Sequence, residues 1–119
     1  MLDNPLAPPW LIRPGDANAL DSPLWSATAQ RTPSGELAIG GVAASRLAAD
    51  HGTPLYVVDE ADARARAART REAFVSAFAA HGSGATVYYA SKAFLTTEVA
   101  RWMVEAGLRL DVASGGELA

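Results

Sequence analysis

Lys92 is the residue of this 119-residue chain with the most distinctive chemistry, because it is the single lysine among ten basic side chains. It follows the apolar run 86–90, which has the composition of a β-strand. A lysine amine, unlike a guanidinium, can lose its proton near neutral pH when it is desolvated, and can then attack a carbonyl carbon. The position predicts a Schiff-base lysine. A lysine left by chance on a strand edge or loop is the alternative.

Two acidic residues follow Lys92 further along the chain. Asp111 lies in the strand-like run 108–113, where its carboxylate could position the amine or balance a positive charge on it. It could equally be a solvated or helix-capping aspartate. Glu117 ends the segment 114–117, Ser-Gly-Gly-Glu, whose spacing is that of a capping box at the start of a helix. The glycines could also expose amides to an anion, but capping explains both polar side chains without one.

Strand and helix signals alternate from residue 53 onwards. The predicted strands are 54–58, 86–91 and 108–113, and the predicted helices are 59–80, 96–107 and one that opens at Ser114. The first strand is a continuous apolar run, as expected of a strand buried on both faces. Alternation along the second strand places Lys92 on the same face as Tyr88 and Ala90. In the first helix the predicted buried stripe consists of Ala61, Ala65, Ala68, Phe74 and Phe78.

This order of elements predicts an α/β fold with a parallel sheet, because βα units connect parallel strands. About three units are present, whereas a complete barrel needs about 250 residues. Residues 53–119 are therefore expected to form the first βα units of an incomplete (β/α)8 TIM-type barrel. An irregular segment is predicted for residues 1–34, which include Trp10 and Trp25, and a short strand and helix for residues 35–52.

Composition narrows the classes of function. The net charge is −3 and four of the nine arginines cluster on one predicted helix among alanines, so the sequence shows no basic stripe for nucleic acid. No apolar stretch has the length of a membrane span, and the N-terminus lacks the pattern of a signal peptide. The absence of cysteine excludes thiolate metal sites, and the two histidines have no metal-ligand spacing. These features predict a soluble, cytoplasmic protein.

Two segments together resemble the diaminopimelate decarboxylases, within the pyridoxal-phosphate-dependent decarboxylases that have an alanine-racemase-like barrel. They are residues 89–93, Tyr-Ala-Ser-Lys-Ala, and residues 110–118, Leu-Asp-Val-Ala-Ser-Gly-Gly-Glu-Leu. Residues 52–59 are also similar to the first strand of that family, and the resemblance covers roughly residues 35–119. Phe94 stands where many members have asparagine, which argues against a racemase more than against a decarboxylase.

The resemblance implies that Lys92 holds pyridoxal 5′-phosphate as an internal aldimine, with Asp111 near it as a catalytic and cofactor-binding residue and Glu117 as a further cofactor contact. The implied reaction converts meso-2,6-diaminopimelate to L-lysine and CO2, in a homodimer when the enzyme is full length. The implied ring histidine, glycine-rich phosphate site, acid at the pyridine nitrogen and partner-subunit cysteine lie beyond residue 119. The chain by itself is therefore expected to be an inactive N-terminal portion, in which residues 35–52 would pack with a C-terminal β domain.

Two alternatives stay open at this point. Another basic-amino-acid decarboxylase with the same cofactor could act on ornithine, arginine or carboxynorspermidine. The chain could also be a truncated module without catalytic activity, although the unpaired edges of three parallel strands argue against an independent fold.

Overall fold

The computed structural model describes residue 8 and residues 15–16, 18–20 and 24–118 as a mixed α/β structure. Much of the segment predicted to be irregular, including Trp10, lies outside the described residues, whereas Trp25 lies within them. Among the helices that are described, none is long and apolar enough to cross a membrane.

Residues 30–43 form a three-stranded antiparallel sheet in the order β1 (Gln30–Arg31), β2 (Leu37–Ile39) and β3 (Val42–Ala43). Gly40 and Gly41 connect β2 to β3 with φ values of 58° and 80°. A two-residue hairpin turn with both φ values positive favours glycine at both positions. The predicted short strand is confirmed by β2. The prediction that residues 1–34 are wholly irregular is wrong, because β1 pairs with β2.

Helix α1 (Ala44–His51) follows β3 directly and ends at Gly52, which has a φ of 79°. The positive φ of Gly52 is a backbone conformation that favours glycine. The predicted short helix before residue 52 is therefore confirmed.

Helix α2 (Glu60–Ala79) has Asp59 as its N-cap, as predicted, and the Asp59 carboxylate accepts a hydrogen bond from the backbone N–H of Asp62 at 3.2 Å. The same carboxylate accepts hydrogen bonds from the hydroxyls of Ser26, at 2.5 Å, and Thr28. These bonds, that of Ser26 foremost, hold the pKa of Asp59 below its ordinary value. Asp59 thus connects the helix to the segment that precedes β1.

The buried face of α2 differs from the predicted stripe. Ala67 is buried and Ala63 packs against the core, whereas Phe74 and Phe78 are 51% and 45% exposed. The core lies against the first half of the helix, and an alanine-rich sequence does not indicate which of its small side chains face inward. The predicted stripe is therefore wrong.

Strands β4 (Tyr88–Ala90) and β5 (Arg109–Asp111) pair in parallel, with Tyr89 opposite Leu110 and Ala90 opposite Asp111. They are connected by α3 (Thr97–Glu105), where the Thr96 hydroxyl accepts a hydrogen bond from the N–H of Val99. The short helix α4 (Gly115–Leu118) follows β5. The parallel arrangement and the βαβ unit are confirmed, with strands shorter than the apolar runs that predicted them.

The predicted strand at 54–58 is absent from both described sheets. Residues 55–58 run without regular secondary structure, and Tyr56 is 95% exposed while Val57 and Val58 are each nearly half exposed. A strand exists only where a neighbour shares its hydrogen bonds, and an apolar run shows the tendency without supplying that neighbour. The expectation of burial on both faces is therefore wrong.

The hydrophobic core holds α2, α3 and the parallel pair together. Its buried residues are Ala67, Val99, Met103 and Leu108, and Tyr89 is one of the partly buried residues packed against them. Near one end of this contact, Arg64 of α2 pairs with Glu105 of α3 and lies 5.7 Å from the centre of the Trp102 ring. The pair with Glu105, followed by that with Glu60, raises the pKa of Arg64.

Candidate active site

Lys92 lies in a short 3₁₀ turn, Ser91–Ala93, that follows β4 directly. The prediction that Lys92 continues the strand on the face of Tyr88 and Ala90 is wrong, because the chain leaves the extended conformation at Ser91. The turn buries Ser91, which is 2% exposed, and leaves Lys92 exposed. The amine is therefore presented at the carboxyl end of a parallel strand.

The Tyr89 hydroxyl donates a hydrogen bond to the backbone carbonyl of Phe94 at 2.6 Å. This bond spans the turn that carries Lys92, while the Tyr89 ring packs against the core. Sequence analysis did not identify this contact of the Tyr89 hydroxyl. The available signal was that the hydroxyl of a tyrosine whose ring packs against a core usually finds a hydrogen-bond partner.

Asp111 is the last residue of β5 and lies opposite Ala90 in the parallel register. Lys92 follows Ala90 by two residues, so both side chains belong to the same edge of the strand pair, where the carboxyl ends of parallel strands meet. Asp111 is exposed, as Lys92 is. The structure thus brings the predicted lysine and aspartate to one edge.

Glu117 lies in α4, and its carboxylate is engaged with the start of that helix. Its Oε2 atom accepts hydrogen bonds from the N–H groups of Ala113, at 2.5 Å, and Ser114, at 3.2 Å. In return, the N–H of Glu117 donates to the Ser114 hydroxyl at 3.3 Å. The predicted capping box is confirmed. These bonds fix the loop after Asp111, and they occupy the carboxylate that the resemblance assigned to the cofactor.

An apolar cavity of about 440 Å³ lies beside the Lys92 turn. Its walls include Tyr89, Ala93 and Phe94, together with Val58 of the extended segment. A larger cavity of about 690 Å³ is lined by residues of the hairpin, of α1 and of the start of α2, and by none of Lys92, Asp111 and Glu117. Within the described ranges, no group of three or more histidine, cysteine, aspartate or glutamate side chains could hold a metal ion.

Comparison with known proteins connects this edge to a family. The family model described as "Pyridoxal-dependent decarboxylase, pyridoxal binding domain" matches residues 63–119. The chain is 49% identical over 96 residues to the diaminopimelate decarboxylase of Mycobacterium tuberculosis, 45% over 114 residues to that of Mycobacterium leprae, and 50% over 91 residues to that of Bacillus subtilis. The matches cover 81%, 95% and 76% of this chain.

The same matches cover 20%, 23% and 20% of the three relatives, so the chain spans about a fifth of their length. The matched residues 63–119 include β4, the turn of Lys92, α3, β5 and α4. They contain every residue of the candidate site. Residues 63–119 of the chain are therefore similar to the pyridoxal binding domain of the pyridoxal-dependent decarboxylases.

Proposed function

We propose that this chain supplies the lysine-bearing part of a diaminopimelate decarboxylase, which converts meso-2,6-diaminopimelate to L-lysine and CO2. The observation that carries the proposal is the position of Lys92. It is the single lysine of the chain, it lies exposed at the carboxyl end of β4, and it falls within the matched pyridoxal binding domain. The relatives named diaminopimelate decarboxylase support the choice of substrate.

The residues at this edge fit pyridoxal 5′-phosphate. This group attaches to proteins through its aldehyde carbon, which requires a reachable primary amine, and Lys92 provides one. When bound, the group supplies an electron sink for the carbanion that the departure of CO2 creates. Asp111 at the same edge is proposed to hold the amine in position by its charge, and Glu117 is proposed to keep the loop after β5 in place, with any direct cofactor contact additional to its capping role.

We propose further that residues 53–119 form the first βα units of a (β/α)8 barrel. Support comes from the parallel pair β4–β5 and from the apolar residues that the described part of the chain leaves uncovered, among them Val57 and Phe94. In a complete barrel, residues 55–58 would pair along the second edge of β4 and fill the cavity beside the Lys92 turn. Residues 35–52 would pack on a second, β-rich domain, and the enzyme would act as a cytoplasmic homodimer.

A chimera tests the proposed function. The 96-residue segment of the Mycobacterium tuberculosis enzyme that matches this chain is replaced by the segment of this chain, and CO2 release from meso-diaminopimelate is measured. We expect an active chimera and expect Lys92→Arg to abolish activity, because a guanidinium does not attach to the cofactor. The double variant Lys92→Arg/Arg69→Lys keeps the lysine count, places the amine on an exposed position of α2, and should stay inactive.

Three outcomes would contradict this function. A Lys92→Arg chimera as fast as its parent would remove Lys92 from the chemistry. Preferential release of CO2 from ornithine, arginine or carboxynorspermidine would support the alternative decarboxylases. A folded chimera that binds no cofactor would support a module without catalytic activity.

A further inference from the structure

We propose that Tyr89 is a positioning residue for Lys92. Its ring is held by the core, and its hydroxyl holds the turn that carries the amine. The inference rests on the proposed function, because it concerns the same lysine and the same cofactor. It adds a residue that acts through the backbone of the turn and does not itself touch the reacting atoms.

The ring of Tyr89 has a fixed place. Tyr89 is the central residue of β4 and lies opposite Leu110 of β5 in the parallel register. Its side chain packs against the cluster that contains Val99 and Met103 of α3. Because strand pairing fixes its backbone and core packing limits its rotamers, the position of the hydroxyl is set by the sheet and the core.

The hydroxyl reaches across the turn. It donates to the carbonyl of Phe94, the residue at which the 3₁₀ turn Ser91–Ala93 ends and the chain becomes extended again. A single 3₁₀ turn of three residues has few hydrogen bonds of its own, and their geometry is poorer than in an α-helix. The Tyr89 hydrogen bond therefore ties the far end of the turn to the sheet.

The turn is also fixed from its inner side. Ser91 is 2% exposed, and its hydroxyl has no hydrogen-bond partner among the described residues. Burial of Ser91 turns the next residue outward, which accounts for the exposure of Lys92. With Ser91 inside and Phe94 tied to Tyr89, the backbone of Lys92 is held on both sides, so less conformational freedom is lost when the amine takes up its ligand.

The test uses the chain itself with pyridoxal 5′-phosphate as the probe. The chain has two primary amines, that of Lys92 and that of its amino terminus, so the terminus serves as an internal reference. After equilibration at limiting probe and rapid borohydride reduction, peptide mass spectrometry gives the ratio of label on Lys92 to label on the terminus. The ratio is measured in buffer and in urea, where the turn is lost.

The decisive variant is Tyr89→Phe, which removes the hydroxyl and keeps the ring. We expect the ratio of the unaltered chain to be higher in buffer than in urea, and Tyr89→Phe to lower it in buffer by roughly three- to tenfold, the range that loss of one hydrogen bond produces. In urea the variant should match the parent. Tyr56→Phe, which removes the hydroxyl of a residue that is 95% exposed, is the matched control and should change neither ratio.

Each other result overturns the proposal in a distinct way. An unchanged ratio in Tyr89→Phe, with the parent still above its urea value, would remove the positioning role and leave the assignment of Lys92 intact. A parent ratio equal in buffer and urea, in a chain whose circular dichroism shows that it is folded in buffer, would show that the folded turn does not favour Lys92, and would remove support from the proposed function as well. If Tyr89→Phe lacks the far-ultraviolet circular dichroism of the folded parent, the hydroxyl supports the whole fold and not the turn.

Discussion

Replacement of Asp59 should weaken two connections at once. In the structure its carboxylate caps α2 through the N–H of Asp62 and accepts hydrogen bonds from the hydroxyls of Ser26 and Thr28. Loss of an N-cap costs about 1 kcal/mol of the free energy of unfolding, and a hydrogen bond to a charged group contributes about 1.5 kcal/mol or more when buried. Since this site is only partly buried, we expect Asp59→Ala to lose about 2 kcal/mol in total.

Asp59→Asn separates the cap from the charge. Asparagine caps helices as well as aspartate does, so this variant should keep the cap and lose about 1 kcal/mol through its weaker bonds to the two hydroxyls. Asp50→Asn is the matched control, because Asp50 is an exposed aspartate that pairs with Arg46, four residues before it on α1. It should change the free energy of unfolding by less than about 0.5 kcal/mol.

The pH dependence gives an independent readout of the same contact. Hydrogen bonds from Ser26 first, and from Thr28 next, lower the pKa of Asp59 in the folded chain below its ordinary value of 3.8. A lowered folded pKa means that the stabilisation is fully present above pH 3.8 and is lost as the pH falls through the lower, folded value. Asp59→Asn should therefore lose less stability than the parent on acidification through this range.

Urea unfolding followed by circular dichroism, repeated from neutral pH to below pH 3.8, measures both effects. A double-mutant cycle with Ser26→Ala isolates the hydroxyl contact, because Ser26 bonds the carboxylate and leaves the cap itself unchanged. The proposed contacts of Asp59 are refuted if Asp59→Ala, Asp59→Asn and the parent have the same free energy of unfolding at neutral pH. The same conclusion requires that this free energy also falls equally with pH in all three proteins.

Two further predictions concern the helix ends and the core. Gly107→Ala should lose about 1–2 kcal/mol, because Gly107 has a φ of 82°. An added Cβ would also lie 2.7 Å from Nε of Arg71, so Gly107→Ala should lose at least as much stability as Gly82→Ala, where φ is 71° and no atom lies within 4 Å; a smaller effect in thermal unfolding would count against a close approach. Met103→Ala should lose about 2–5 kcal/mol, since Met103 is 5% exposed. Val104→Ala, at a position 56% exposed, should lose under about 0.5 kcal/mol, and similar values for the two would contradict the assigned core.

The helices were predictable because their signals are local. Asp59 and Thr96 accept hydrogen bonds from the first turns of α2 and α3, as their positions in the sequence predict. Gly52 ends α1 in a backbone conformation that favours glycine. Such contacts involve residues a few positions apart, so the amino-acid sequence contains both partners.

The errors arose where the outcome depends on distant residues. The run 54–58 has the composition of a buried strand, but pairing requires a neighbouring strand, and none of the described residues takes that place. The buried face of α2 depends on where α3 packs against it. As a result, Ala67 is buried and Phe74 is exposed. Alternation failed at Lys92 because the strand ends at Ala90, and burial of Ser91 decides the direction of the next side chain.

The candidate site was predictable as a set of residues and not as a geometry. The segments around Lys92 and Asp111 indicated the family, and the parallel register places both at one edge. The cap formed by Glu117 also followed from its spacing to Ser114. The contact between the Tyr89 hydroxyl and the Phe94 carbonyl did not, because it depends on a turn that the apolar pattern does not show.

The central claim is that Lys92 holds the cofactor of a decarboxylase. The most direct measurement is a crystal structure of the active chimera with pyridoxal 5′-phosphate bound. The account predicts continuous electron density between Nζ of Lys92 and the cofactor, with the Tyr89 hydroxyl still bonded to the Phe94 carbonyl. A cofactor bound without a covalent link to Lys92, or linked to another residue, would contradict it.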